Sequence, residues 1–122
     1  MEVSESITIT DSMVLQFAAL SGDTNPIHLD DEYAEKTIFG KRIVHGMLLG
    51  SFISKMIATK YPGEGSIYLS QNLKFKSPCY IGDTVKVTIK LIEQEGSKYT
   101  LGTYVTNDHH VLIEGEAFVI KK

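Results

Sequence analysis

The sequence predicts an α+β domain in which a curved antiparallel sheet wraps around one long helix. Three observations predict it. Residues 44–60, "VHGMLLGSFISKMIATK", carry apolar side chains on nearly every face, so the helix they form must be surrounded by protein. Four segments of strand character then follow one another after residue 65, with no helical pattern between them. The clearest of these, "DTVKVTIKLIE" (83–93), sets Val85, Val87, Ile89 and Leu91 against Thr84, Lys86, Thr88 and Lys90. That is the pattern of an antiparallel strand with one dry face and one wet face.

The elements fall in order. "ESITIT" (5–10) alternates like a short strand. "TDSMVLQFAALSG" places Met13, Val14, Phe17, Ala18 and Leu20 at helical spacing, with Thr10 or Asp11 set to cap the start and Gly22 where the helix stops. A loop then holds Asp23 to His28, in which Pro26 presses Asn25 into an extended conformation and interrupts any helix. "LDDEYAEKT" reads as a short surface helix with acids in its first turn. In the long helix, Gly46 and Gly50 each cost about 1 kcal/mol of helix propensity relative to Ala, which implies a close approach by something else. "YPGEG" (61–65) ends that helix. Strands are expected at 66–76, 83–93, 98–107 and 110–121, with "EQEG" and "TNDH" suited to hairpin connections. Such a sheet has exposed edges, where a second copy can pair.

Composition narrows the class. The 122 residues, 43% of them hydrophobic, suit a single domain over 1–122 with a substantial core. A formal charge of −3 with scattered basic residues argues against a nucleic-acid or anionic-membrane surface, which needs a dense basic field. The one cysteine, Cys79, leaves no internal disulfide and no multi-thiolate zinc site. "MEVSESITIT" shows no basic region followed by an apolar run. The apolar region 43–58 is too short and too interrupted, by His45, Ser51, Ser54 and Lys55, to span a bilayer. A reducing, cytoplasmic setting is the expectation.

Chemistry concentrates in "SGDTNPIHLDDEYA" (21–34), where Asp23 and His28 stand on either side of Asn25-Pro26. An ordinary Asp carboxyl is ionised at neutral pH while an imidazole titrates near it, so a water bound by both groups has a proton acceptor and a proton donor at hand. An Asx-turn beside a surface imidazole is the plainer reading of the same residues, and Asn25 equally reads as a turn former. The second feature, "FGKRIVHGMLLGSFIS" (39–54), enters the long helix through His45-Gly46. The first N–H groups of a helix lack internal partners and the dipole there is positive, so Gly46 N–H can serve a carbonyl oxygen gaining negative charge. Close packing of strands on Gly46 and Gly50 explains the glycines equally well. His45 reads as a capping or packing residue, and His109-His110 as hairpin-turn residues.

Together, "FAALSGDTNPIHLDDEYA" and "IVHGMLLGSFIS" resemble the MaoC-like hydratases, most closely the short (R)-specific enoyl-CoA hydratases, with "GSIYLSQNLKFKSPCYIGDTV" also typical of the group. The resemblance implies a hot-dog fold assembled as a homodimer, with a dimer of dimers left open. It implies that Asp23 and His28 are the catalytic pair acting on a trans-2-enoyl thioester, and that Gly46 N–H polarises its carbonyl. Asn25 and Ser54 match substrate-side positions. Lys41-Arg42 departs from the Arg-Pro of many relatives. No metal or redox cofactor is implied, since CoA belongs to the substrate; Lys41, Arg42, Lys74 and Lys76 are candidates for its phosphates, or plain solvated charges. Met56, Ile57 and Phe118 are candidates to close a short acyl tunnel, or plain core residues. Hot-dog thioesterases and acyl-carrier-protein dehydratases are rivals that place a carboxylate on the central helix, where residues 43–60 have none. A non-catalytic acyl-thioester-binding subunit is the rival outside enzymes, and it has no use for an ionisable pair.

Overall fold

The computed structural model describes residues 1–122. Strand β1 (Glu2–Thr8) leads into helix α1 (Asp11–Ser21), two short helices α2 (Pro26–Leu29) and α3 (Asp31–Glu35), and the long helix α4 (Gly46–Thr59). Strands β2 (Ile67–Gln71), β3 (Lys74–Phe75), β4 (Thr84–Glu95), β5 (Lys98–Thr106) and β6 (Val111–Ile120) complete the chain. All pairings are antiparallel, in the order β1-β4-β5-β6-β2, with β3 also on β6. The sheet does not close: β1 and β2 are its edges.

Local chemistry sets several boundaries as expected. Thr10 caps α1 by accepting from Met13 N at 3.2 Å, and Gly22 ends it with φ at 80°, in the left-handed region that favours glycine. The alternation of β4 is realised: Val85, Val87 and Ile89 are buried while Thr84, Lys86 and Lys90 are exposed. These valines and isoleucine meet Leu48, Leu49, Ile53, Met56 and Ile57 of α4 in the hydrophobic core. Burial of each such side chain contributes about 1.5–3 kcal/mol, so the sheet–helix contact is the main source of stability.

Two expectations are corrected. Pro26 does not break a helix but opens one: it occupies the first turn of α2, where its missing N–H has no partner to lose, and Asn25 caps that turn from Oδ1 to Ile27 N at 3.2 Å. The segment 66–76 is two strands rather than one. Asn72 breaks it by imitating a strand with its side chain: Asn72 N donates to Glu116 O at 3.0 Å, and Glu116 N donates to Asn72 Oδ1 at 3.2 Å. Gly115 makes room, since a Cβ there would lie 1.9 Å from the Asn72 carbonyl oxygen.

The break turns β3 onto the small-residue face of α4. A Cβ on Gly50 would lie 3.2 Å from Leu73 Cδ1, and one on Gly46 only 2.5 Å from the Phe75 ring. The apolar surround of α4 is incomplete within one chain: Met47, Ser51, Ser54 and Ala58 are exposed. We predict that Gly115→Ala lowers stability by about 1–3 kcal/mol, because backbone rather than a flexible side chain must move. A urea unfolding curve matching that of the unaltered protein would contradict this.

Candidate active site

The segment between α3 and α4 holds the site together. Val44 N donates to Cys79 O at 2.7 Å, and Ile43 N donates to Ile27 O at 3.2 Å. Residues 42–45 therefore form a strap stretched between α2 and the segment after β3. His28, in the last turn of α2, is fastened to this strap twice. Its Nδ1 lies 2.7 Å from Ile43 O, and its own carbonyl accepts from Arg42 Nε at 2.7 Å. A carbonyl can only accept, so Nδ1 carries the proton and Nε2 is left with a lone pair. Partial burial holds the His28 imidazole below the ordinary 6.5, a shift reinforced by His45 and opposed by the bond to Ile43 and by the Asp23 charge.

Asp23 lies one turn ahead. Its N–H donates to Ser21 Oγ at 3.1 Å, and its Oδ1 accepts weakly from Asn25 N at 3.4 Å, which is an Asx-turn. The turn does not divert it from His28. Donor atoms of Asp23, His28 and His45 all lie within 4.8 Å of one another. His45, read from the sequence as a capping or packing residue, makes a contact with this pair that sequence reasoning missed. It stands at the N-cap of α4 but makes no side-chain cap bond, and its buried ring stacks on His28 with centroids 3.9 Å apart. The one sequence signal available was its position directly before Gly46.

A cavity of about 320 Å³ opens beside this cluster, lined by His28, Gly46, Leu49, Phe75, Lys76 and Cys79 among others. The imidazole and the head of α4 thus face one space. Burial pushes the Cys79 thiol up to about 12, with the Asp83 charge adding to the effect. Gly46 is required by packing, because the Phe75 ring occupies the side where its Cβ would project. Its N–H, at the first helical position, still has no partner within the helix.

The remaining candidates separate. Asn25 caps α2 and does not line this cavity. Ser54 lies two turns beyond Gly46 on the same face of α4, in a neighbouring groove of about 430 Å³ with Met47, Gly50 and Leu73. Met56 and Ile57 are core residues, and Phe118 is half exposed in a separate groove with Leu69 and Tyr99, so none of the three closes the His28 cavity. Arg42 is not free for a phosphate: its mostly buried side chain donates to Asp11 Oδ1 at 2.6 Å as well as to His28 O. Lys41 lies over the Tyr80 ring at 4.7 Å. Lys74 lines a separate groove with Asn72 and Glu116, whereas Lys76 borders the His28 cavity while pairing loosely with Glu114 at 3.3 Å. His109 and His110 are exposed in the β5–β6 turn, where both N–H groups donate to Asn107 Oδ1.

A cavity at the head of a central helix, edged by an imidazole that has the exposed Asp23 carboxylate nearby, on an open antiparallel sheet, defines a hot-dog-fold protein. The comparisons with known proteins carry this further. A family model described as "MaoC like domain" matches residues 1–111. The (R)-specific enoyl-CoA hydratase of Rhodospirillum rubrum is 47% identical over 115 residues, 93% of this chain and 80% of that protein. The (R)-specific enoyl-CoA hydratase of Aeromonas caviae is 44% identical over 109 residues, 87% of this chain and 81% of that one. A solved structure described as the (R)-hydratase from A. caviae involved in PHA biosynthesis matches with a TM-score of 0.96 at 38% identity, covering 100% of this chain and 95% of that one. The chain belongs to the MaoC-like domain family.

Because Arg42 ties the His28 carbonyl of α2 to the start of α1, we predict that Arg42→Met lowers stability by about 1.5–3 kcal/mol. Asp11→Asn, at a carboxylate 54% exposed, is expected to cost under about 1 kcal/mol. Equal urea midpoints for the two variants would show that the bond to His28 O carries no weight.

Proposed function

We propose that this chain is an (R)-specific enoyl-CoA hydratase, adding water reversibly to a trans-2-enoyl-CoA to give an (R)-3-hydroxyacyl-CoA. One observation carries the reading. His28 Nε2, free of any hydrogen bond within the strap, belongs to a ring that shares a cavity with Gly46 and stands within 4.8 Å of the Asp23 carboxylate. The relatives' names supply the substrate and the hand of the product.

The chemistry follows from the tautomer. A water held between His28 Nε2 and the Asp23 carboxylate attacks C3, and one of its protons passes to Nε2 as the C3–O bond forms. The electrons of the C2–C3 double bond move onto the thioester oxygen, giving an enolate. Gly46 N–H donates to that oxygen, aided by the positive end of α4. The imidazolium, steadied by Asp23, then returns the proton to C2. One H and one OH have been added, and His28 is neutral again. The thioester itself makes C3 electrophilic, so the sequence calls on no metal or redox cofactor, and CoA is part of the substrate. Asn25 serves by shaping the loop that carries both groups, and Ser54 by facing the groove next along α4. Lys76 is the basic residue best placed for the CoA phosphates.

A carboxylate on the helix, as in the rival thioesterases and dehydratases, has no counterpart here: α4 contains no Asp or Glu. A homodimer is the proposed assembly, supported by the exposed face of α4 and by the exposed Ile67, Tyr68 and Leu69 on edge strand β2. No helix is long and apolar enough to cross a membrane, and the proposed setting is the cytoplasm.

Asp23→Asn and His28→Ala are each predicted to lower crotonyl-CoA hydration by about 10²–10⁴-fold, with circular dichroism unchanged. Near-normal rates in both variants would remove the mechanism. The base must be neutral to act, and burial depresses its pKa. The kcat/KM profile should therefore be flat at neutral pH and fall only as pH drops through a value below 6.5. An acid limb centred above 6.5 would assign that titration to another group.

A further inference from the structure

His45 is 1% exposed, and its two ring nitrogens have unlike surroundings. Nε2 lies 3.0 Å from the backbone carbonyl of Asp23, so it carries the proton and donates. Nδ1 is buried with no hydrogen-bond partner. A buried acceptor left unmet costs stability, and an apolar ring of the same shape would fill the space without that cost. Packing therefore does not account for an imidazole here. What the imidazole does is reach both members of the proposed acid–base pair. Its donor fixes the Asp23 main chain, while one face lies nearly parallel to His28, at 26° and 3.9 Å between centroids. Phe17 of α1 supports the same ring, with centroids 4.9 Å apart.

We propose that His45 is a positioning residue for the reaction: one buried side chain, anchored at the head of α4, holds Asp23 by hydrogen bond and His28 by stacking, so that both keep register with Gly46 N–H. The inference rests on the reading of Asp23 and His28 as the catalytic pair. It differs from a capping role, because the helix-start N–H groups receive nothing from the His45 side chain. It also requires opposite tautomers in two touching imidazoles, Nδ1–H in His28 and Nε2–H in His45.

Two variants divide the two contacts. His45→Gln keeps an amide N–H able to reach Asp23 O but loses the ring, and His45→Phe keeps a ring but loses the donor. Each is expected to lower kcat for crotonyl-CoA by about 10–100-fold, since a small misplacement of reacting groups carries penalties of that size, with KM within about twofold. In His45→Phe, where a ring of similar size keeps His28 covered, the acid limb of kcat/KM reports the lost imidazole rather than a change in burial, which is the main depressor of the His28 pKa. The groups facing His28 are Asp23 from the preceding loop, Arg42 and His45 from the strap, and Lys76 and Cys79 across the cavity. Of these, His45 depresses the His28 pKa and Asp23 raises it. Removing His45 should therefore shift the limb to higher pH. Wild-type kcat and an unmoved limb in both variants would overturn the inference.

Nitrogen-15 NMR of the unaltered protein at pH 7.5 keeps the test alive should a variant fail to fold. Opposite tautomers support the proposal, and an Nδ1–H tautomer at His45 overturns it, because the tie to Asp23 would not exist. Asp23→Asn and His28→Ala, run alongside, distinguish the failures. Normal activity in those two would bring down the catalytic reading and this inference with it. Their inactivity beside indifferent His45 variants would bring down this inference alone.

Discussion

The site depends on one short hydrogen bond, from His28 Nδ1 to the carbonyl of Ile43. It joins a four-residue helix that has little stability of its own to a strap pinned by Val44 to the segment after β3. The same bond decides the chemistry, since it commits one ring nitrogen and leaves the other as the acceptor. Arg42 closes the arrangement from the other side by gripping the His28 carbonyl. Fold and the proposed reactivity are one constraint here, because the residue that docks α2 is also a residue that lines the cavity.

Much of the architecture was legible because it is written locally. The Thr10 cap, the Gly22 stop and the alternation of β4 each need only a few neighbouring residues to be recognised. Pro26 was ambiguous for a physical reason: the same fixed φ that breaks a helix interior suits a helix's first turn, and only Asn25's capping bond decides between them. The division of residues 66–76 was invisible, because it depends on Gly115, more than forty positions further along, leaving space for the Asn72 carbonyl. The seam between α4 and β3 follows from that break.

Site residues divide in the same way. Asp23, His28 and Gly46 stood out through residue type and spacing, and the fold gathers them at one end of α4. Arg42 looked like a surface cation because nothing nearby in sequence reveals its partners, Asp11 and the His28 carbonyl. His45 reads as a capping or packing residue because it directly precedes a helix; its burial bears out packing, while its stack on His28 is a tertiary contact that the sequence does not show. The all-round apolar pattern of α4 predicts cover on every face, and the single chain covers only one side, leaving Met47, Ser51, Ser54 and Ala58 exposed.

Cys79 gives this cavity a further property. A conjugated enoyl thioester is a Michael acceptor, and Cys79 is among the residues that line the same cavity as His28. With its titration pushed to about 12 by burial, the thiol form prevails at neutral pH. Burial thus disfavours the nucleophilic thiolate, which for the substrate proposed here favours addition of oxygen rather than sulfur at C3.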